Sequence, residues 1–237
     1  METFCDAGSM RRYSRAQRAH SRSVAFVPTM GALHAGHTAL VEKARSLADV
    51  VVLSVFVNPM QFNVRDDFDR YPRDISTDAA IAGAAGVDAV YAPTVGSMSP
   101  DGFDTAVPVE RTAAPLEGSG RPGHFDGVAT VVTKLFNAVE PDWAVFGRKD
   151  YQQLAVISRM TRDLDIPVQI IGVDTVREPD GLALSSRNVR LSSDERAQAP
   201  VIHRALSLAR EALLSGADRK STRLNSSHGY ISYAVFC

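Results

Sequence analysis

Blocks of hydrophobic and polar positions alternate along the chain and predict strands and helices in turn. Val24–Val27 and Val50–Val57 are apolar runs of strand length, and the second is too apolar throughout for a strand with one face in water. Between them, the apolar positions from Leu40 to Leu47 recur at helical spacing. A strand, a helix and a strand in this order predict one right-handed crossover unit.

The same alternation continues to about residue 173. The other predicted strands are Val87–Tyr91, Trp143–Phe146 and Val168–Val173. The other predicted helices are Asp78–Ala85, Val128–Val139 and Leu154–Leu164. Strands that alternate with helices indicate a parallel sheet covered on both faces. We therefore expect an α/β fold with a doubly wound parallel sheet.

The pattern changes near residue 175, where we place a domain boundary. Ser192 and Glu195 have the spacing of a capping box that opens a helix. We expect one apolar face of this helix to point inward: Ile202, Ala205, Leu206, Ala209 and Leu213. We divide the chain into a solvated N-terminal segment (1–23), the α/β domain (24–175), an incomplete second domain (176–218) and a tail (219–237). The run from Lys220 resembles translated adapter sequence, so we expect the tail to be non-native.

Composition and charge exclude several classes of protein. The 26 basic and 27 acidic residues give a net charge of −1, which argues against a dedicated nucleic-acid binder. No apolar run reaches the length of a membrane span, and two cysteines are too few for a disulfide framework. The Arg-rich, acid-poor start also fits an organelle transit peptide, but a solvated segment and a cytoplasmic protein are our expectation.

The first candidate site follows the first predicted strand of the α/β domain. The run Pro28–His37 passes from this strand into a helix and contains His34, Gly36 and His37. Ligands bind at this edge of open α/β sheets, and N–H groups at a helix start favour phosphate. Two imidazoles three residues apart can donate hydrogen bonds to phosphate oxygens, and Gly36 allows a close approach to the backbone. We therefore predict an ATP site; ordinary loop histidines or a metal pair are the alternatives.

Three further polar groups follow predicted strands or open the second domain. Asn58 and Gln61 have amides suited to hydroxyls and a carboxylate. The run Gly147–Gln153 contains Lys149 for phosphates, Asp150 for a ribose or a metal, and Gln153 near the same edge. In the second domain, Ser185, Ser186 and Arg187 can form a phosphate clamp. Each group taken alone also fits a polar turn or a helix cap.

A glycine-rich stretch is harder to interpret. Glu117–Phe125 contains three glycines, which is consistent with a mobile gate over a site.

Together these segments closely resemble the pantoate–β-alanine ligase family of His-x-Gly-His nucleotidyltransferases. The resemblance runs from about Val24 to about Leu214 and rests on four motifs in order. They are Pro-Thr-Met-Gly-Ala-Leu-His from Pro28, Asn-Pro-Met-Gln-Phe from Asn58, Lys-Asp-Tyr-Gln-Gln from Lys149, and Ser-Ser-Arg-Asn from Ser185. The resemblance implies a Rossmann-like nucleotidyltransferase domain with a second α+β domain as a lid, truncated here.

The resemblance also implies an activity and its partners. Pantoate would attack Mg²⁺-bound ATP to form pantoyl adenylate and pyrophosphate, and β-alanine would then displace AMP to form pantothenate. The enzyme would be a homodimer with no membrane or nucleic-acid partner.

Site roles carry over from the family by position. His34 and His37 would stabilise transition-state charge together with Lys149, Ser185, Ser186 and Arg187. All of these residues except His34 would also bind ATP. Met30, Gly36, Gly147 and Asp150 would complete the ATP site. Pantoate would be bound by Asn58, Gln61 and Gln153, and Asp78 would help to place Mg²⁺.

Two departures from the family pattern bear on activity. Arg148 stands where the family has an acidic or amide residue, and the second domain is short. Two alternatives stay open. A nucleotidyltransferase for a phosphorylated acceptor would need more Arg or Lys around Asn58–Phe62 and Gln153. The short second domain instead suggests a non-catalytic fragment that binds ATP or folds only as a partner-dependent subunit.

Overall fold

The first of two compact units is built on a parallel sheet. The computed structural model describes residues 1–63 and 65–216, and the two units divide between Thr175 and Val176. The strands of the sheet are β1 (Glu2–Phe4), β2 (Val24–Thr29), β3 (Val50–Val55), β4 (Ala89–Tyr91), β5 (Trp143–Gly147) and β6 (Gln169–Val173). Each pairing between neighbouring strands is parallel, and their spatial order is β1-β4-β3-β2-β5-β6.

Helices connect these strands and continue into the second unit. In the first unit they are α1 (Ala7–Ala19), α2 (Ala35–Arg45), α3 (Arg65–Asp69), α4 (Ile75–Ala84), α5 (Val95–Met98), α6 (Glu110–Ala113), α7 (Glu117–Gly120), α8 (His124–Val139) and α9 (Tyr151–Asp163). In the second unit they are α10 (Ser193–Gln198) and α11 (Val201–Leu214). Short 3-10 helices cover Pro59–Gln61, Arg148–Asp150 and Asn188–Arg190.

Both faces of the sheet are buried, which confirms the predicted doubly wound α/β fold. Along β3, Val50 and Val52 pack with residues of α8 and α9 on one face. Val51 and Leu53 pack with residues of α2 on the other face. A strand buried on both sides needs apolar residues at successive positions, so the continuous run in the sequence has its physical explanation here.

The strand order places a switch point between β2 and β5. From β2 the chain moves to β3 on one side, whereas β5 lies on the other side of β2. Where the strand order reverses in this way, the loops at the carboxyl ends of the two strands part and leave a crevice. The loop after Thr29 and the loop after Gly147 flank this crevice.

Residues 1–23 belong to the first unit and do not form the separate solvated segment that the sequence suggested. Glu2–Phe4 pairs with Ala89–Tyr91 as an edge strand, and Met10 and Ser14 of α1 are fully buried. The strand has only three residues and its partner lies far along the chain. Four of the 13 residues of α1 are arginines, so the composition of this segment suggested solvent exposure.

In the second unit, the capping box is confirmed and the predicted single helix is wrong. Ser192 Oγ accepts the Glu195 N–H, and Glu195 Oε2 accepts the Ser192 N–H. The helix ends before Pro200, and α11 begins after it, because proline cannot donate the backbone hydrogen bond of a helix interior.

The expected inward face of α11 is also wrong. None of its residues is buried, and Leu206 is 63% exposed. An apolar stripe shows only that a helix can bury a face, while burial requires a partner surface.

The predicted tail, residues 219–237, lies outside the described residues. Among the helices that the structure describes, none is long and apolar enough to cross a membrane.

Candidate active site

A turn between β2 and α2 presents the two histidines. Thr29 Oγ1 accepts the Gly31 N–H at 3.1 Å and donates to the Ser54 carbonyl at 2.6 Å. Gly31 and Ala32 both have a positive φ, of 84° and 52°, a turn geometry that favours glycine. The chain then enters α2 with His34 as the N-cap residue.

Hydrogen bonds within this turn determine which ring nitrogen of each histidine carries the proton. His34 Nδ1 accepts the Gly36 N–H at 3.1 Å, and His37 Nδ1 accepts the His34 N–H at 3.2 Å. A nitrogen that accepts a backbone N–H carries no proton, so each neutral ring is protonated at Nε2. Neither Nε2–H donates to a residue that the structure describes. The two rings, with centroids 4.2 Å apart, are therefore a pair of adjacent donors.

Burial and a neighbouring cation keep both histidines neutral. Burial lowers the pKa of His37 to about 3, with smaller contributions from His34 and Lys149. Burial, and then the charge of Lys149, lowers the pKa of His34. Near neutral pH both rings are therefore uncharged and each offers an Nε2–H group as a donor, and Lys149 supplies the positive charge beside them.

Both carboxylate oxygens of Asp78 accept backbone N–H groups of the turn after β2. Its carboxylate is 3% exposed and accepts the Ala32 N–H at 3.0 Å and the Leu33 N–H at 2.8 Å. Within residues 1–63 and 65–216, no group of three His, Cys, Asp or Glu side chains is arranged to hold a metal ion. The expected role of Asp78 in placing Mg²⁺ stays a prediction.

The 3-10 helix Pro59–Gln61 brings Gln61 next to Met30. Gln61 Nε2 lies 2.8 Å from Met30 Sδ, and Gln61 Oε1 accepts from Asn58 Nδ2 at 3.3 Å. Asn58 is 1% exposed and also donates to the Gly127 carbonyl while accepting the Met60 N–H. The amide of Asn58, expected to contact pantoate, is thus engaged within the protein and orients Gln61.

The start of α8 and the residues before it hold this 3-10 helix in place. Arg121 and His124 both donate to the Gln61 carbonyl, at 3.0 Å and 2.7 Å. A Cβ on Gly127 would lie 2.5 Å from the Met60 carbonyl oxygen, so the two backbones approach too closely for a side chain. The glycine-rich stretch interpreted as a gate therefore contains contacts that support Gln61. Sequence reasoning missed them because the predicted helix began at Val128.

The loop after β5 contributes a cation and an amide. Lys149 Nζ lies 3.2 Å from Asp150 Oδ1, and both side chains are partly exposed. The side chain of Gln153, in the first turn of α9, makes no hydrogen bond with the described residues, which leaves its amide available to a ligand. Gln152 has a different role, since its amide bonds to the Pro115 carbonyl and the Glu117 N–H.

Arg148 forms an ion pair with an acidic residue that follows β6. Its guanidinium forms an ion pair with Asp174 at 2.7 Å, and both side chains are largely exposed. A Cβ on Gly172 would lie 3.1 Å from Arg148 Nε, so glycine there leaves space for the arginine along β6. The departure from the family pattern is accommodated by an acidic residue within the first unit.

The predicted phosphate clamp lies in the second unit, in a turn. Ser185 Oγ accepts the Arg187 N–H at 3.2 Å, and Asn188 Nδ2 donates to the Ala183 carbonyl at 3.0 Å. Arg196 anchors the preceding turn through ion pairs with Glu178 and Asp180. Ser185, Ser186 and Arg187 are thus adjacent within a turn that side chains of the same unit hold in place.

Comparisons with known proteins agree on one family. A family model described as pantoate-beta-alanine ligase matches residues 2–234. A pantothenate synthetase from Heliobacterium modesticaldum is 55% identical over 215 residues, which cover 91% of this chain and 76% of that protein. One from Vibrio atlanticus is 52% identical over 220 residues, 92% of this chain and 74% of that protein.

Solved structures agree with the sequence comparisons. The crystal structure of pantothenate synthetase from Thermus thermophilus matches with a TM-score of 0.88 and 52% identity, over 94% of this chain and 79% of that chain. A pantoate-beta-alanine ligase from Francisella tularensis, complexed with beta-gamma ATP and β-alanine, matches with a TM-score of 0.82 and 39% identity, over 87% of this chain and 79% of that chain.

Proposed function

The chain belongs to the pantoate–β-alanine ligase family, and we propose that it joins its two substrates in two steps through an acyl adenylate. In the first step, a pantoate carboxylate oxygen attacks the α-phosphorus of ATP, and the bond from that phosphorus to the β-phosphate bridge breaks. Pyrophosphate leaves. In the second step, the β-alanine amine attacks the acyl carbon and loses a proton, and AMP leaves with the bridging oxygen.

The pair of Nε2–H donors carries this proposal. Negative charge develops on the phosphate oxygens during the first step, and donors fixed beforehand stabilise it without reorganising. His34 and His37 are fixed in this way by their Nδ1 hydrogen bonds, and Lys149 adds positive charge to the same region. Transfer of the adenylyl group to a carboxylate needs no covalent bond to the protein, so positioning and charge stabilisation are sufficient.

The remaining site residues receive roles from their chemistry. Gly36 leaves room for ATP at the start of α2, with Met30 and Gly147 at the ends of β2 and β5 and Asp150 toward the ribose. The Gln61 and Gln153 amides fit the hydroxyls and carboxylate of pantoate, with Asn58 orienting Gln61. Ser185, Ser186 and Arg187 offer two hydroxyls and a guanidinium for phosphate.

We treat Mg²⁺ as part of the ATP substrate. This ion commonly binds through substrate phosphates and keeps several waters, with few protein ligands. Such binding agrees with the lack of a three-ligand cluster among the described residues. We also propose that the enzyme is a homodimer, as the family resemblance implies.

Isotope exchange tests the adenylate directly. With pantoate and Mg-ATP present and β-alanine absent, labelled pyrophosphate should enter ATP. No label should enter when pantoate is omitted. Adding β-alanine should give AMP and pantothenate in equal amounts. Pyrophosphate release that requires β-alanine would contradict a separate adenylation step.

Asparagine substitutions test the two histidines. Asparagine keeps an acceptor near the position of Nδ1 and lacks the distal donor, so His34→Asn and His37→Asn should fold and lose about 10²–10³-fold in kcat. His20→Asn, at the exposed end of α1, is the matched control and should keep the parent rate. Loss of less than about tenfold in both site variants would remove the histidines from the chemistry.

A further inference from the structure

Asp78 is a buried carboxylate whose partners are both backbone groups of the histidine turn. It is 3% exposed, and none of the ion pairs found among residues 1–63 and 65–216 includes it. A buried charge is costly unless hydrogen bonds or a favourable dipole compensate it. The Ala32 and Leu33 N–H groups supply the hydrogen bonds, and the first turn of α4 supplies the favourable helix end.

The turn also depends on the carboxylate. Positive φ at Ala32 is unfavourable for a residue with a Cβ, so a contact must hold it. Two successive N–H groups that point to one side form a concavity that binds an anion, and Asp78 fills this concavity. At Gly31 a Cβ would lie 2.6 Å from Asp78 Oδ2. Glycine there is therefore required for the carboxylate to reach the turn.

The Gly31–Leu33 turn, which Asp78 holds, leads directly to His34 and His37. Leu33, whose N–H Asp78 accepts, precedes His34, whose own N–H is accepted by His37 Nδ1. The direction in which the chain enters α2 therefore determines whether the Nδ1 hydrogen bonds form and where the Nε2–H groups point.

We propose that Asp78 is a positioning residue for the adenylation step: it clamps the Gly31–Leu33 turn and thereby orients the donors of His34 and His37. The proposal deepens the proposed function and rests on it. It replaces the expected role of Asp78 as a magnesium ligand, because both carboxylate oxygens are turned to backbone N–H groups.

Asp78→Asn is the first test. The side chain keeps its size, but its NH₂ group would face one of the two N–H donors. Displacement of catalytic groups by about 1 Å can cost about 10²-fold in rate, so kcat should fall on that order while the KM for pantoate changes little. Asp74→Asn is the matched control in the same helix. Asp74 caps α4 through the Thr77 N–H, asparagine caps equally well, and kcat should stay at the parent value.

A double-mutant cycle with Ala32→Gly separates the clamp from other roles. Glycine adopts a positive φ without strain, so a turn with glycine at this position depends less on the carboxylate. Ala32→Gly should therefore raise kcat in the Asp78→Asn background by a larger factor than in the parent. Equal factors in both backgrounds would overturn the clamp. If Asp78→Asn does not fold, Gly31→Ala is the second variant. Its Cβ would push the Asp78 carboxylate away from the Ala32 and Leu33 N–H groups and should produce the same loss of kcat.

A readout without substrate distinguishes failure of the clamp from failure of the proposed function. The ¹⁵N shifts of the histidine rings in the ligand-free protein should report Nε2–H tautomers for His34 and His37. In Asp78→Asn these signals should shift toward mixed tautomers, and in Asp74→Asn they should not. Unchanged ring signals in Asp78→Asn would overturn the proposal. A kcat of Asp78→Asn that excess Mg²⁺ restores to the parent value would also overturn it. A parent enzyme without exchange activity would instead refute the adenylate mechanism.

Discussion

At the residue scale, each histidine of the site uses its two ring nitrogens for different purposes. Nδ1 accepts a backbone N–H and completes the start of α2, while Nε2–H makes no hydrogen bond with the described residues and is available as a donor. The motif alone predicted donors near phosphate, because imidazoles at a helix start suit that ligand. The tautomers could not be predicted, since they depend on which backbone N–H meets which nitrogen.

The depressed pKa of His37 predicts a pH-dependent stability. The unfolded chain takes up a proton near pH 6.5, while folded His37 does so only near its pKa of about 3. Below pH 6.5 the unfolded chain therefore binds more protons than the folded chain. The free energy of unfolding is highest above pH 6.5 and decreases as the pH falls from 6.5 toward 3. Inside this pH range, each pH unit changes the free energy of unfolding by about 1.4 kcal/mol. Between about pH 6.5 and about pH 5, the parent should lose about 2 kcal/mol more than His37→Asn.

Urea unfolding of both proteins at a series of pH values measures this difference. Carboxylates titrate in the same range in both proteins, so only the gap between the two curves reports on His37. A constant gap across the window would mean that the pKa of His37 is not depressed.

At the element scale, the 3-10 helix Pro59–Gln61 depends on α8 for its position. The helical pattern from Val128 onward predicted α8, because its apolar face recurs at helical spacing. The four residues before Val128 lack that pattern, yet they include His124 and Gly127, which support Gln61 and Met60. Contacts between elements distant in sequence explain why the site has this geometry.

Gly127→Ala tests this dependence. The new Cβ would lie 2.5 Å from the Met60 carbonyl oxygen, and overpacking of this kind costs about 1–3 kcal/mol. We expect a lower midpoint of urea unfolding and a higher KM for pantoate, because Gln61 moves with the 3-10 helix. Gly120→Ala is the control, since a Cβ there meets no atom within 4 Å. Equal effects of the two substitutions would contradict the close approach.

At the scale of the whole molecule, the strand order creates the site. β2 lies between β3 and β5, so the loops that carry His34 and Lys149 part at the switch point. β1 extends the same sheet from the first residues of the chain. Strand order depends on pairing between distant segments, and no local pattern of this sequence specified it.

The proposed homodimer is tested in solution. One chain has a mass of 25.6 kDa, and sedimentation velocity should resolve a species of twice that mass that dissociates on dilution. A single species of 25.6 kDa over the whole concentration range would refute the dimer.

The sequence by itself determined the fold class and the family. Apolar runs and helical stripes are local patterns, and the four ordered motifs lie on the loops that follow strands or open the second unit. Arg148 already stood out as a departure, but only the structure paired it with Asp174.

Tertiary structure alone decided the contacts of Asp78, the support of Gln61 by α8, and the exposure of α11. Asp78 sits 46 residues from Ala32 along the chain, so the clamp exists only once the fold brings α4 to the turn. The apolar face of α11 was evident in the sequence, but burial needs a second surface, and Leu206 remains 63% exposed. Local sequence determines which groups are available, and packing between distant segments determines what each of them contacts.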